Sequence, residues 1–212
     1  MNNTTATLYY VHDPMCSWCW GFHPAWDQVQ LALHGIVRLQ YVLGGLATDT
    51  DQPMSDDMQN RLRGTWKRIQ QEIPGIEFNY DFWSLCKPRR STYPACRAVI
   101  AARMQQPQIE KKMILAIQQA YYLQARNPSD ADVLIQLAGE AGLDTVTFAH
   151  DLGSEACMNE LKRELQLTRS LHVNSFPALV LSHNAKNTEI SVDYTSSDNI
   201  IRQIIKILNA SS

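Results

Sequence analysis

The sequence predicts an α/β protein in which a β-α-β unit and a β-β-α unit share one sheet, with a large all-helical segment inserted between them. Three observations support this prediction. Residues 7–43 alternate between strand-like and helix-like patterns, residues 53–172 show almost only helical periodicity, and strand-like patterns return at residue 178. We expect residues 1–52 and 173–212 to form one discontinuous domain, and residues 53–172 to form an inserted helical domain.

The N-terminal unit begins with a short run of β-forming residues. Residues 7–12 predict a buried strand, which Asp13 and the following proline should end. In residues 16–34 the apolar side chains recur every three or four positions, as on one face of a helix. Residues 36–43 alternate between apolar and polar and predict a second strand. A β-α-β unit of this kind normally forms a parallel strand pair.

Prolines and capping residues divide the inserted segment into helices. Proline is favoured in the first helical turn because the N–H groups there have no intrahelical partner. Serine is favoured just before it, because its hydroxyl accepts a bond from the first turn. We expect helices to begin near the following residues: Pro53 or Ser55, Pro94, Pro107, Ser129 and Ser154.

The C-terminal part returns to the period of two that is typical of strands. Residues 178–181 form an apolar strand, residues 183–187 are predicted to be a turn, and residues 189–192 form a second short strand. A helix should follow Asp198, because the isoleucines after it share one face.

Composition and charge exclude several classes of function. The chain has 19 basic and 21 acidic side chains, and a formal net charge of -2 does not favour nucleic acid. No apolar run approaches the roughly 18 residues that span a bilayer, so no membrane partner is predicted. Residues 1–7 lack the basic and apolar segments of a secretory signal. We therefore expect a cytoplasmic protein, monomer or dimer, whose thiols are reduced and form no structural disulfide.

The clearest chemical motif is Cys16-Ser17-Trp18-Cys19, which lies where the first strand gives way to a helix. Unpaired N–H groups at a helix start stabilise a thiolate, so Cys16 is the predicted nucleophile. Cys19 lies one turn further, faces the core and is close enough to bond with the first sulfur. We expect Cys16 to exchange with a substrate disulfide and Cys19 to resolve the mixed disulfide. Trp18 is predicted to offer an apolar platform to substrates.

The other cysteines and one acidic residue have less specific patterns. A Cys-x-x-Cys pair can be half a zinc site or two core cysteines, but the strand-to-helix position favours redox chemistry and no metal is predicted. Cys96 and Cys157 lie on apolar helical stripes and should pack in the core, whereas Cys86 has no assignment. Asp13 is either a buried acid that tunes Cys19 or a turn residue before proline, and the turn is favoured.

A second candidate feature is Phe176-Pro177, immediately before the strand of residues 178–181. Proline cannot donate to a strand ladder, so it is tolerated at the first residue of a strand. If the Phe176-Pro177 bond is cis, the turn would leave the preceding backbone free to pair with an extended peptide.

The order of these features resembles the thioredoxin fold, and the long helical insertion resembles the DsbA family. The resemblance covers essentially the whole chain. It is carried by three runs, which are similar to the cytoplasmic disulfide-isomerase branch of that family: Asp13-Pro14-Met15-Cys16-Ser17-Trp18-Cys19-Trp20-Gly21-Phe22, Arg90-Ser91-Thr92-Tyr93-Pro94-Ala95-Cys96-Arg97 and Ser175-Phe176-Pro177. The resemblance implies that Cys16 and Cys19 are catalytic. It also implies that Pro177 follows a cis bond opposite Cys16 and lines a substrate groove with Phe176.

The resemblance further implies protein or small thiol and disulfide substrates and no bound cofactor. Glutathione or a partner redox protein would donate or accept the electrons. Ser17-Trp18 replaces the Pro-His of the secreted DsbA enzymes, which argues against strong oxidase activity. Two alternatives stay open: a glutathione-dependent transferase or isomerase of the kappa-class type, and a non-catalytic, chaperone-like binding protein.

Overall fold

The computed structural model describes residues 6–210, and one mixed sheet organises both ends of the chain. The elements in chain order are β1 (Thr7–His12), α1 (Ser17–Ala32), β2 (Arg38–Leu43), α2 (Asp56–Glu72), α3 (Phe82–Leu85), α4 (Tyr93–Gln105), α5 (Glu110–Tyr122), α6 (Ala131–Ala141), α7 (Thr145–Leu152), α8 (Glu155–Ser170), β3 (Ala178–His183), β4 (Lys186–Ile190) and α9 (Ser197–Ala210). The sheet order is β2-β1-β3-β4. β1 pairs parallel with β2 and antiparallel with β3, and β4 pairs antiparallel with β3. The predicted fold class is confirmed.

The two faces of the sheet are covered by different helices. One face packs against α1 and α9, through a cluster that includes Leu8 of β1, Phe22 of α1 and Ile204 of α9. The opposite face carries Val11 and a smaller apolar cluster, against which residues of α8 and the segment before β3 pack. Because successive strand residues point to opposite faces, β1 contributes to both clusters and is almost entirely buried.

Helix α1 contains a proline, as its sequence indicates. Pro24 has no N–H to donate to the carbonyl of Trp20, four residues earlier. His23 donates to this carbonyl instead, since its Nδ1 lies 2.7 Å from the Trp20 oxygen. The helix therefore continues to Ala32 with that carbonyl satisfied by a side chain.

The inserted helices share the largest apolar cluster in the described chain. This cluster is built mainly from α2 to α8, and it also includes Met15, Trp20 and Leu43 from the segments around β1 and β2. The helical block therefore packs directly against the start of α1. Its assignment as a separate domain stays a prediction. Within residues 6–210, no helix is both long and apolar enough to cross a bilayer. The expected lack of a signal concerns residues 1–7, of which 1–5 lie outside the described chain.

The structure decides between the two predicted starts of α2 and corrects other predicted boundaries. Ser55, rather than Pro53, caps α2, because its hydroxyl accepts from the Met58 N–H at 3.4 Å. Ser129 does not cap α6, because its hydroxyl donates to the Ser91 carbonyl at 2.7 Å and the helix begins later. The sequence patterns also missed the short helices α3 and α7.

The last hairpin is tighter than expected. The chain reverses over Asn184 and Ala185, whose φ angles of 49° and 59° are those of a two-residue hairpin turn. β4 therefore begins at Lys186, inside the segment that the sequence predicts to be a turn.

Candidate active site at the start of the first helix

Cys16 lies at the N-cap of α1, directly after the turn that follows β1. Its N–H donates to the Asp13 carbonyl at 2.9 Å, and its own carbonyl accepts from the Trp20 N–H at 3.0 Å. The first turn contains no acidic residue, and the Cys16 side chain makes no capping bond. The positive end of the helix is therefore directed at the Cys16 sulfur, where it would stabilise a thiolate.

Cys19 occupies a different environment one turn into the same helix. It is 0% exposed, whereas Cys16 keeps 6% of its surface exposed, and both are reduced thiols. Burial raises the pKa of Cys19 well above its usual value, and the hydrogen bond and charge of Cys16 add to this effect. The two thiols are therefore unequal, because Cys16 is buried except for a small exposed fraction, whereas Cys19 lies fully buried beneath it with a raised pKa.

Buried and half-buried tyrosines lie near the two sulfurs. Burial raises the pKa of Tyr10 well above its usual value, and the charges of Cys19 and Cys16 raise it further. Burial, followed by the charges of Cys19 and Cys16, also raises the pKa of Tyr194. Burial raises the pKa of Tyr122 as well, and the charges of Tyr121, Cys16 and Cys19 add to that rise. Neutral aromatic side chains therefore enclose the inner side of the dithiol, and a charge that forms there is screened little by water.

Asp13 is a fully buried carboxylate beneath the active-site turn, rather than only the turn residue that the sequence favours. Its Oδ1 accepts from the Met15 N–H at 2.8 Å, and its Oδ2 accepts from the Leu46 N–H at 2.7 Å and the Thr92 hydroxyl at 2.6 Å. Burial raises the pKa of Asp13, and these three donors offset part of that rise. The side chain thus ties the turn before Cys16 to the loop after β2 and to the start of α4.

Trp18 lies at the surface beside the dithiol, as predicted for a residue between the two cysteines. It is half-buried, its ring centroid lies 5.0 Å from that of Tyr194, and the Arg68 guanidinium lies 5.5 Å from it. Arg68 also pairs with Glu72 at 2.6 Å. An aromatic and charged rim from α2 and from the segment before α9 therefore borders the site. Contact of Trp18 with substrate stays a prediction.

The Phe176-Pro177 segment lies next to Cys16, 160 residues away in the sequence. The peptide bond is cis, as predicted, and the Phe176 carbonyl lies 3.5 Å from the Cys16 sulfur. The Phe176 ring lies against Gly44 and the apolar cluster that contains Val42. The main chain of Phe176 thus faces the sulfur, while the ring packs away from it. Substrate binding by Phe176 and Pro177 stays a prediction.

The remaining cysteines lie in or near the core. Cys96 is fully buried on α4, and its Sγ lies 3.7 Å from Oδ2 of Asp13, at the edge of the site. Cys157 is buried as predicted, and its thiol donates to the Arg97 carbonyl at 3.3 Å. Cys86 is half-buried and donates to a carbonyl of the chain after α5. In the chain from 6 to 210, no three potential metal ligands come together.

The sheet order, with a dithiol at the start of the first helix, is that of thioredoxin-like proteins. The family model described as thioredoxin matches residues 9–203, and the chain therefore belongs to the thioredoxin family. Among curated proteins, the ClpXP adapter protein SpxH of Halalkalibacterium halodurans is 27% identical over 86% of this chain. SpxH of Bacillus subtilis is 21% identical over 86% of it. The chain spans only 60% of the length of each of these relatives.

Solved structures show the same architecture. A proposed protein disulfide isomerase from Nitrosomonas europaea superimposes with a TM-score of 0.86 at 23% identity, covering 98% of this chain and all of that one. The cytosolic disulfide reductase DsbM from Pseudomonas aeruginosa gives a TM-score of 0.79 at 23% identity, covering 96% of this chain and 99% of that one. DsbM with GSH gives 0.76 at 24% identity, covering 96% and 99%. The predicted DsbA-like thioredoxin fold is confirmed.

Sequence reasoning missed two residues that contact the neighbours of the dithiol, Thr92 beside Asp13 and Gly44 beside Phe176. Thr92 was present in the run that carries the family resemblance, but nothing in its pattern indicated a bond to Asp13. Gly44 appeared only as the end of a strand. The two consecutive glycines after β2, Gly44 and Gly45, are a local sequence signal of close packing at that point.

Proposed function

We propose that the protein is a thiol–disulfide oxidoreductase or isomerase in which Cys16 is the nucleophile and Cys19 the resolving thiol. The observation that carries this proposal is the inequality of the two thiols. Cys16 lies at the N-cap and keeps 6% of its surface exposed, whereas Cys19 is fully buried with a raised pKa. An attacking thiol must be accessible as a thiolate, and a resolving thiol needs only to reach the first sulfur.

The reaction follows from this arrangement. The Cys16 thiolate attacks one sulfur of a substrate disulfide, so that one substrate thiolate leaves and a mixed disulfide forms on Cys16. Cys19 then attacks the Cys16 sulfur and its proton passes to the departing second thiolate. The substrate gains two electrons, and the protein becomes the Cys16–Cys19 disulfide. With a substrate dithiol and an oxidised protein, the same steps run in reverse.

Glutathione is the electron donor that we propose for closing the cycle. Two glutathione thiols would reduce the Cys16–Cys19 disulfide and leave as glutathione disulfide. A partner redox protein could supply the same two electrons. Support comes from the glutathione-bound structure of DsbM, and the cytosolic description of that protein supports a cytoplasmic location for this chain.

Binding without catalysis is a second candidate function, which the names of the curated relatives favour. These relatives are ClpXP adapter proteins, so a related chain could act by holding a protein partner. The half-buried Trp18, bordered by Tyr194 and Arg68, is a surface suited to such contact. A kappa-class type of transferase receives no comparable support, because such a site needs no second cysteine and this chain places Cys19 directly beneath Cys16.

Redox titration of the purified chain in glutathione buffers tests the main proposal. We expect a two-electron transition of Cys16 and Cys19. Its reduction potential would be about −270 mV for a reductase or about −120 mV for a DsbA-like oxidant. Cys19→Ser should accumulate the mixed disulfide with glutathione on Cys16, and Cys16→Ser should abolish exchange. Full turnover by Cys19→Ser would favour the transferase. Partner binding that survives Cys16→Ser, with no redox transition in the unaltered chain, would favour the binding protein.

A further inference from the structure

The ring of Phe176 occupies the space where any residue other than glycine at position 44 would place its Cβ. A Cβ on Gly44 would lie 2.8 Å from Cε2 of the ring and closer still to Cε1 and Cζ. Carbon atoms normally approach to about 3.5–4.0 Å. The φ of Gly44 is outside the left-handed region, whereas that of Gly45 is 61°. Glycine is therefore required at position 44 for space rather than for backbone conformation.

The segment that carries Gly44 is firmly held. The Gly44 N–H donates to the His12 carbonyl at 2.7 Å and extends the parallel ladder between β1 and β2 by one bond. Just before it, the Leu43 N–H donates to Glu164 at 2.6 Å and the Leu43 carbonyl accepts from Thr168 at 3.4 Å, both on α8. The sheet and the inserted helices thus fix Gly44 together, and Gly44 is a rigid surface for the ring.

The same Phe176 that rests on Gly44 presents its carbonyl to the nucleophile. The Cys16 thiol donates to this carbonyl, with a sulfur-to-oxygen distance of 3.5 Å. We infer that the Gly44–Phe176 contact is a positioning contact that sets how closely this carbonyl approaches the Cys16 sulfur, and thereby sets the reactivity of Cys16. This inference rests on the proposed function insofar as Cys16 is the attacking thiol.

The direction of the effect follows from the hydrogen bond. A thiol that donates to a carbonyl is stabilised relative to a thiolate, because the oxygen carries partial negative charge and repels the ionised sulfur. In Gly44→Ala the ring must move outward, because even Cε2, the farthest of the three ring atoms, would lie at 2.8 Å, roughly 1 Å inside the normal carbon distance, and Cε1 and Cζ would lie closer still. The carbonyl of Phe176 moves with the ring, and Cys16 loses its acceptor. We expect alkylation of Cys16 at neutral pH to become at least threefold faster.

A double-mutant cycle separates positioning from general disturbance. Gly44→Ala is compared in two backgrounds, the unaltered chain and Phe176→Ala, in which there is no ring to displace. If the contact acts through the ring, Gly44→Ala speeds alkylation of Cys16 in the first background and leaves its rate unchanged in the second. Gly64→Ala is the matched control, because a Cβ at that helical position of α2 meets nothing within 4 Å.

The outcomes decide the inference independently of the proposed function. If the unaltered chain shows no redox transition between Cys16 and Cys19, the proposed function fails. If the unaltered chain exchanges normally but Gly44→Ala matches Gly64→Ala, the ring simply rotates away and the inference is overturned. An equal effect of Gly44→Ala in both backgrounds also overturns it. If Gly44→Ala does not fold, Phe176→Ala alone must change the Cys16 alkylation rate at least threefold, and an unchanged rate overturns the inference.

Discussion

His12 should make the protein sensitive to mild acid. It is 0% exposed at the end of β1, and neither of its ring nitrogens has a hydrogen-bond partner in residues 6–210. Its ring stacks on Tyr10 with centroids 5.0 Å apart and meets Tyr41 edge-on. Burial, with a smaller contribution from the charge of Arg103, lowers the pKa of His12 from 6.5 to about 3. The folded state therefore holds this imidazole neutral where the unfolded chain would protonate it.

The sign and size of the effect follow from proton linkage. Between the folded value of about 3 and the ordinary value of 6.5, the unfolded chain binds more protons at His12, so stability is lost as the pH falls through this range. Each pKa unit is worth about 1.4 kcal/mol. Acidification from about pH 7.5 to about pH 5 crosses only the upper part of the interval between the two pKa values of His12. Over this change the free energy of unfolding should fall by about 2 kcal/mol. For a chain of this size, that corresponds to a fall in Tm of about 4–8 °C.

Urea unfolding at the two pH values, followed by tryptophan fluorescence, measures this loss. His12→Leu removes the titrating group and keeps the position apolar, so the variant should lose about 2 kcal/mol less than the unaltered protein on acidification. His34→Leu is the matched control, because His34 is exposed after α1 and should leave the acid dependence unchanged. Equal acid losses, within about 0.5 kcal/mol, for His12→Leu and the unaltered protein would refute the argument.

Three further predictions follow from the site. In the reduced protein, brief exposure to iodoacetamide at neutral pH should label Cys16 before Cys19, because Cys19 is fully buried with a raised pKa, and peptide mass spectrometry would show any reverse order. Asp13→Ala should lower the free energy of unfolding by about 3 kcal/mol because the Met15 and Leu46 N–H groups and the Thr92 hydroxyl lose their acceptor, whereas the exposed Asp51→Ala should change it by less than about 0.5 kcal/mol in the same urea assay. Glu164→Gln removes one of the ion pairs of Arg103 on α4 and should cost about 1.5 kcal/mol, because Arg103 keeps Glu110 as a partner, so a melting temperature equal to that of the unaltered protein would contradict the role of this pair.

The sequence by itself determined the local features of the protein. The strand-to-helix change at Cys16 and the apolar periodicity of residues 16–34 correctly predicted a dithiol at the start of α1. These features depend on neighbours within a few positions, and residue type and spacing record such neighbours directly. The helical insertion and the closing β-β-α order were recognisable for the same reason, although the hairpin register was not. That register depends on the backbone conformation of two turn residues, of which Ala185 gives no local signal of positive φ.

Only the tertiary structure decided which groups support the dithiol. Asp13 could be a turn residue or a buried acid until folding brought Thr92, 79 positions away, against its carboxylate. The sequence also did not determine where the Phe176 ring lies, because its contact with Gly44 joins two segments that are far apart in the chain. Burial and hydrogen bonding between distant segments arise from the packing of whole helices against the sheet. Periodicity states which face of an element is buried, but not which side chain of another element it meets there.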